Sequence, residues 1–290
     1  NDQWGLREGL RHMAGANIGM RHARRAWRLA PLAALLGSAL LTASPSHASP
    51  WARADGEIFL STRADYFIAQ EDAPPGSGLA PSRFERFETN SYAEYGLTRT
   101  LTIGGKIAYG TSTYSDSYAA GSQSGFSEIE GFAQYEIFRG RRSVLSVKLT
   151  GAAPAGLNAG ARPELIANGA GAELRALYGR NLFSKPCKIF AGVEAGYRKR
   201  FGDDADQIRA DALVGAEPAK NILLLIEALS STSMRNEAGD GADYDVVKLQ
   251  PSAVWRFSRR FSLQAGVTHE IGGRNLVLGD TYFLSFWTTF

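Results

Sequence analysis

The sequence predicts an all-β protein, an antiparallel transmembrane up-and-down β-barrel of about twelve strands, and three observations carry that expectation. Apolar and polar residues alternate with a period of two through run after run beyond position 55. Each run is about ten residues, the length a tilted strand needs to cross a bilayer. The chain then ends on "TYFLSFWTTF", which sets Tyr282, Leu284, Phe286 and Phe290 on one face of a last strand. A terminus that apolar needs a buried or lipid-facing place, because terminal residues in water fray.

The N-terminal part is read differently. Residues 1–19 are expected to be an upstream extension without structural role. From Met20 the chain runs "MRHARRAWRLAPLAALLGSALLTASPSHASP", an arginine cluster followed by an apolar run and then Ser46-His47-Ala48. That order is a signal peptide over 20–48, cut after Ala48, with the barrel domain over 49–290. The apolar stretch, about 13 residues broken by Pro31, is too short for the roughly 20 that a membrane-spanning helix needs. The formal charge of +3 also originates here, since residues 1–48 hold six arginines against Asp2 and Glu8. Beyond them, 26 basic and 27 acidic groups nearly balance, and nothing global draws the chain to nucleic acid. With Cys187 the single cysteine, no intramolecular disulfide is possible.

The alternating runs fall near 56–69, 84–97, 101–113, 126–138, 143–153, 167–179, 187–200, 207–217, 221–232, 244–257, 261–271 and 277–290. In the first, Ile58, Leu60, Ala64, Tyr66 and Ile68 oppose Glu57, Ser61, Arg63 and Asp65. In the second, Phe87, Ala93, Tyr95 and Leu97 oppose Glu88, Asn90, Tyr92 and Glu94. The seventh sets Ile189, Ala191, Val193, Ala195 and Tyr197 against Lys188, Glu194 and Arg198. An even count leaves both termini on one side of the membrane. Connections alternate as well: "LTRTL", "FRGRRS", "EPAKN" and "FSRRF" are tight, with "GRNLFSKPC" somewhat longer. The opposite set, "AQEDAPPGSGLAPSR", "YSDSYAAGSQSG", "AAPAGLNAGARPE", "FGDDADQ" and "SMRNEAGDGAD", is rich in Gly, Ser, Asp and Pro. Short periplasmic turns and longer external loops follow. A soluble β-sandwich also alternates, but it buries Val, Ile and Leu. Here the apolar face is rich in alanines and aromatics, with Tyr95, Tyr135, Tyr178, Trp255, Phe257 and Phe261 near the short turns and Tyr66, Tyr109 and Tyr197 near the loops. Two aromatic girdles are the expected arrangement.

On these residues the sequence resembles a Gram-negative outer-membrane β-barrel over residues 50–290. Its last strand, "GDTYFLSFWTTF", is similar to the C-terminal signal read by the outer-membrane assembly machinery, with Tyr282, Leu284, Phe286 and Phe290 as the alternating residues and Thr288 departing from the pattern. Phrases such as "AEYGLTRTLTIGGKIAYG" also look like hairpins of porin-like transport barrels linked to aromatic-compound uptake. The resemblance implies outer-membrane lipid and lipopolysaccharide as surroundings and the assembly machinery as a partner.

If the apolar parity meets lipid, the other lines the lumen. Channel-lining candidates are Glu94, Lys106, Glu128, Glu130, Glu136, Lys148, Glu173, Arg175, Glu194, Arg198, Arg209, Asp211, Lys248 and Glu270, with Glu88, Glu227 and Arg256 on the same face. Folding about the tight turns is expected to set Glu94 opposite Lys106 and Lys248 opposite Glu270. Glu128, Glu130 and Glu136 form an acidic stripe with only Lys148 on the hairpin partner, while Arg175, Arg198 and Arg209 make the facing wall more basic. Chemistry is sparse. His269, the one histidine after residue 48, takes the lipid-facing parity beside Glu270, which points the other way; it is read as interfacial, not catalytic. "HEIGG" lacks the second histidine of a zinc helix, "GAGAEL" lacks the third glycine of a dinucleotide loop, and "NEAGDGADYD" reads as a solvated loop. No cofactor, metal or catalytic group is implied. The expected function is a channel for passive passage of small polar or charged solutes, the alternatives being a closed structural or assembly barrel and an outer-membrane lipid-modifying enzyme.

Overall fold

The computed structural model describes residues 49–290 except 73–79, 119, 156–169 and 240. The expected upstream extension and signal peptide lie outside the described residues, as do much of the first and third external loops and Asp240. Thirteen strand segments form one antiparallel sheet: β1 (Ile58–Glu71), β2 (Ser82–Gly96), β3 (Leu101–Ser115), β4 (Ala120–Phe126), β5 (Glu128–Arg139), β6 (Ser143–Pro154), β7 (Gly171–Phe183), β8 (Lys188–Arg200), β9 (Gln207–Ala219), β10 (Ile222–Ser233), β11 (Asp245–Arg256), β12 (Phe261–Arg274) and β13 (Gly279–Thr289). β4 and β5 both pair with β3, one above the other, and are a single stave interrupted at Ser127. The barrel therefore has twelve staves. It closes through β1 and β13, from Phe59 opposite Thr289 to Ala69 opposite Gly279. Reciprocal backbone bonds between Ile58 and Phe290, 3.0 and 2.9 Å, finish the seam. Through its membrane-spanning staves the ladder is continuous, which a bilayer demands because it offers unpaired N–H and C=O groups no partner; β4, above them, pairs with β3 alone among the described residues.

One boundary differs from expectation. "GSQSG", read as external loop, belongs to strand β4, and the stave starts at Ala120 rather than near 126. Above the aromatic girdle a strand has no lipid to face, so its pattern is serine rather than apolar. The pairing is made by polar contacts such as Thr111 Oγ1 to Ser124 Oγ, 2.7 Å.

The two parities separate as expected on the outside. Leu60, Phe87, Tyr109, Tyr135, Leu174, Trp255, Tyr282, Leu284, Phe286 and Phe290 are exposed on the outer surface. At the end with the short turns Trp255, Phe257, Phe261 and Phe286 stack in a chain with ring centroids 5.6 to 6.2 Å apart, one piece of the periplasmic girdle. Inside, the pattern has two storeys. The outer half is charged, but the periplasmic half is a hydrophobic core of Phe59, Tyr92, Phe132, Phe190, Leu213, Leu223, Leu225, Val254 and Trp287. Apart from Tyr92, the sequence reading fills the inward parity with charged and polar groups, and this layer corrects it.

Candidate functional site

The lumen is built from the inward side chains of every stave together with one segment that belongs to none. Residues 49–55 turn back from the start of β1 and cross the periplasmic mouth as an extended strap. Wall side chains satisfy its backbone. Gln134 Nε2 donates to Ser49 O (3.0 Å) and Ser146 Oγ to Pro50 O (2.5 Å). The Ala52 amide donates to Glu136 Oε2 (3.3 Å) and the Arg53 amide to Thr102 Oγ1 (2.8 Å). Arg53 is buried, pairs with Glu94 and with Glu57 (3.2 Å), and lies 4.2 Å over the Phe59 ring. Trp51 meets Phe190 edge-on at 6.3 Å, joining the strap to the apolar layer. Pro50 sits on Gly179, where any Cβ would overlap it, so the strap's seat requires glycine there.

Above the apolar layer lies a cavity of about 210 Å³ lined by charge from both walls. Glu130 is held by Lys106 at 3.1 Å and Arg198 at 3.3 Å. Glu173 meets Arg209 at 3.0 Å, Arg198 at 3.8 Å and also Arg175. Arg175 in turn reaches Glu194 at 3.1 Å and Asp211. Arg63 bonds Asp65 at 2.6 Å, and Asn90 closes on the same carboxylate, also at 2.6 Å. A second hollow of about 700 Å³ surrounds the strap on the periplasmic side. The apolar layer contributes to both hollows, with Tyr92 and Phe132 lining the outer one and Phe190 the periplasmic one.

The structure thus brings together Lys106, Glu130, Lys148, Glu173, Arg175, Glu194, Arg198, Arg209, Asp211 and Lys248 around one cavity. Glu94 and Glu136 instead serve the strap. Glu270 pairs with Lys248 at 2.6 Å, as the hairpin reading expects. The expected Glu94–Lys106 pair is corrected: Glu94 lies opposite Gly104, and Lys106 opposite Tyr92 and Glu130. The cause is the turn, where the Thr98 hydroxyl accepts the Thr100 and Leu101 amides (3.3 and 3.1 Å) and fixes the register two residues from the one assumed. The acidic stripe is corrected too. Glu130 has two cationic partners and Glu136 is bound by Arg139, while Lys148 lies opposite Gln134. Glu128 is opposite Pro154 in the ladder, and its side chain lies outside the described residues. The strap residues carry no alternation; Trp51 and Arg53, a bulky aromatic and a cation ahead of the first strand, are the one signal they offer.

Outside the lumen, His269 is exposed on the lipid-facing side and its Nδ1 contacts Asp280 Oδ1 across the β12–β13 ladder. Asp243 of the acidic external loop is committed to Arg274 (2.6 and 2.8 Å).

These features define a class: a closed twelve-stranded barrel of the outer-membrane fold, with a charged lumen and a strapped periplasmic mouth. No family model and no curated protein matches the sequence. Among solved structures the chain is similar to the COG4313 outer membrane channel from Pseudomonas putida F1, with a TM-score of 0.64 and 15% identity over 86% of this chain and 100% of that one. It is also similar to the NanC porin, with a TM-score of 0.52 and 9% identity over 79% of this chain and 98% of the other. Likeness at such identities is a likeness of fold.

Proposed function

We propose that the protein is a gated outer-membrane channel for passive passage of small polar or charged solutes. The observation that carries this reading is the arrangement of the bore: a charged outer cavity and a periplasmic hollow, with the apolar layer on which the strap packs contributing to both. A barrel built only as a scaffold has no use for a chamber lined with ion pairs, whose charges are costly to keep away from bulk water. An apolar constriction opposes ions by dewetting, so the apolar layer and strap form the gate and the charged chamber selects. The fold likeness to two channel proteins supports the same class of function. A lipid-modifying enzyme is disfavoured, because His269 pairs with Asp280 and, among the described residues, no serine hydroxyl reaches it to act as nucleophile.

Planar-bilayer conductance tests this. Gly179→Leu drives a side chain into the seat of Pro50 and is expected to raise conductance several-fold by lifting the strap. The Glu128→Gln, Glu130→Gln double variant releases Lys106 and Arg198 from Glu130, and reversal potentials across a salt gradient are expected to move towards anions. Currents unchanged by either would overturn the channel reading in favour of a closed structural barrel.

A further inference from the structure

The floor of the outer cavity contains two charged groups that the ion-pair network leaves incomplete. Glu194 is 5% exposed, and its Oε2 receives Arg175 at 3.1 Å. Its Oε1 is buried without a hydrogen-bond partner. Arg175 cannot neutralise it alone, because the same Nη1 also serves Asp211, so one guanidinium faces two carboxylates here. The remaining cation at this level is Lys148. It forms no ion pair within 4.0 Å among the described residues, and its Nζ rests 4.8 Å from the Phe132 ring centroid. Phe132 is stacked on Tyr92 at 5.7 Å, and both rings line the same cavity. Lys148 and Glu194 both line this cavity. The two groups therefore face one space with an unmatched acceptor on one side and an unmatched ammonium on the other.

We propose that this floor, between Lys148 on β6 and Glu194 on β8, is a binding site for small zwitterions bearing a carboxylate and an ammonium a few bonds apart. The carboxylate sits on Lys148 Nζ and the ammonium donates to Glu194 Oε1, with the carbon skeleton against Phe132 and Tyr92. A plain anion would satisfy Lys148 but meet the Glu194–Asp211 pair, whose two carboxylates share one guanidinium. A plain cation would satisfy that pair and be repelled by Lys148. A solute with both signs matches each, and burial makes the mismatch of either single charge expensive. The other cations of the chamber do not compete, since Lys106, Arg198 and Arg209 are held by Glu130 and Glu173.

The site rests on the reading of the lumen as a solute path, and binding separates the two ideas from each other. Calorimetric titration of the detergent-solubilised barrel with L-alanine, propionate and propylamine, three probes of similar size, is expected to show alanine binding at least tenfold more tightly than the single-charge probes. Lys148→Met and Glu194→Gln should each weaken alanine at least tenfold. Glu194→Gln should in addition admit propionate as well as alanine, while Lys148→Arg, which keeps the cation, should retain alanine. Absence of alanine binding to the native barrel, or binding untouched by both Lys148→Met and Glu194→Gln, overturns the site. Conductance of the same preparation reports on the channel alone: alanine binding without current leaves the site standing and removes the channel, and current without alanine binding does the reverse.

Discussion

The Lys248–Glu270 pair shows what one residue contributes inside this bore. Both side chains are about as buried as a core residue, at 7% and 6% exposure, and Glu270 also accepts the Gly279 amide at 3.2 Å. Removing one partner strands the other, and the cost of an uncompensated buried charge is about 3–5 kcal/mol. Lys248→Met is therefore expected to lower unfolding free energy in urea by that order, and adding Glu270→Gln to recover most of it. Equal losses in the single and double variants would show the pair to be uncoupled. This contact was legible in the sequence because only the distance to a tight turn was needed. Glu94 and Lys106 were misplaced by the same arithmetic, since the hydroxyl of Thr98 reshapes its turn and no residue spacing reveals that. The orphan oxygen of Glu194 was legible only as a charge on the inward parity, because its isolation depends on how Arg175 is shared among three neighbours.

Among the elements, the external loops after β8 and β10 are tied together by Asp206. The carboxylate receives Lys199 (2.8 Å), Tyr197 (2.6 Å), the Arg200 amide (2.8 Å) and Asn236 of the other loop (2.8 Å). Burial by itself pushes the carboxyl up, but these donors outweigh it and hold its pKa below the ordinary aspartate range. A carboxyl with a depressed folded-state pKa contributes stability that is fully present above its unfolded value, about 3.9, and is lost as pH falls through the folded value. Hydrogen exchange at 201–206 and 234–239 is thus expected to stay slow at pH 5 and to quicken only in stronger acid. Asp206→Asn should exchange faster already at pH 7, and loosening of the native loops at pH 5 would contradict the latch. All twelve staves could be read from alternation because each has one face in lipid. The start of β4 could not, for above the membrane that contrast disappears, and the strap could not, for a segment bound through its backbone has no period to show.

At the scale of the molecule the decisive property is closure. The terminal strand is bonded on both sides, to β12 and to β1, and it divides its residues between two solvents. Tyr282, Leu284, Phe286 and Phe290 face lipid, while Phe283 and Trp287 turn inward and Trp287 joins the apolar layer. With its membrane-spanning staves closed by the β1–β13 seam, the native barrel is expected to migrate as a folded species in SDS until boiled. Deleting residues 286–290 removes the seam bonds to Ile58 and the Trp287 ring together, and should abolish both membrane assembly and that heat-dependent shift. Normal insertion of the shortened chain would refute this account of the terminus. The barrel and its closure were legible from the outward parity. The apolar layer was not, because an inward Phe190 or Leu223 looks like an interruption of alternation until its counterparts on other staves are seen beside it.

The way the strap is held also bears on how freely its sequence can drift. Four wall side chains, Gln134, Ser146, Glu136 and Thr102, address main-chain atoms, which every amino acid but proline supplies in full. Only Pro50, Trp51 and Arg53 are read as letters, through Gly179, Phe190 and Glu94. The receptor for the strap is thus written in the barrel rather than in the strap, so most of the bolt can be rewritten while it still seats, whereas the glycine and the amide and hydroxyl groups of the wall cannot be exchanged without loosening it.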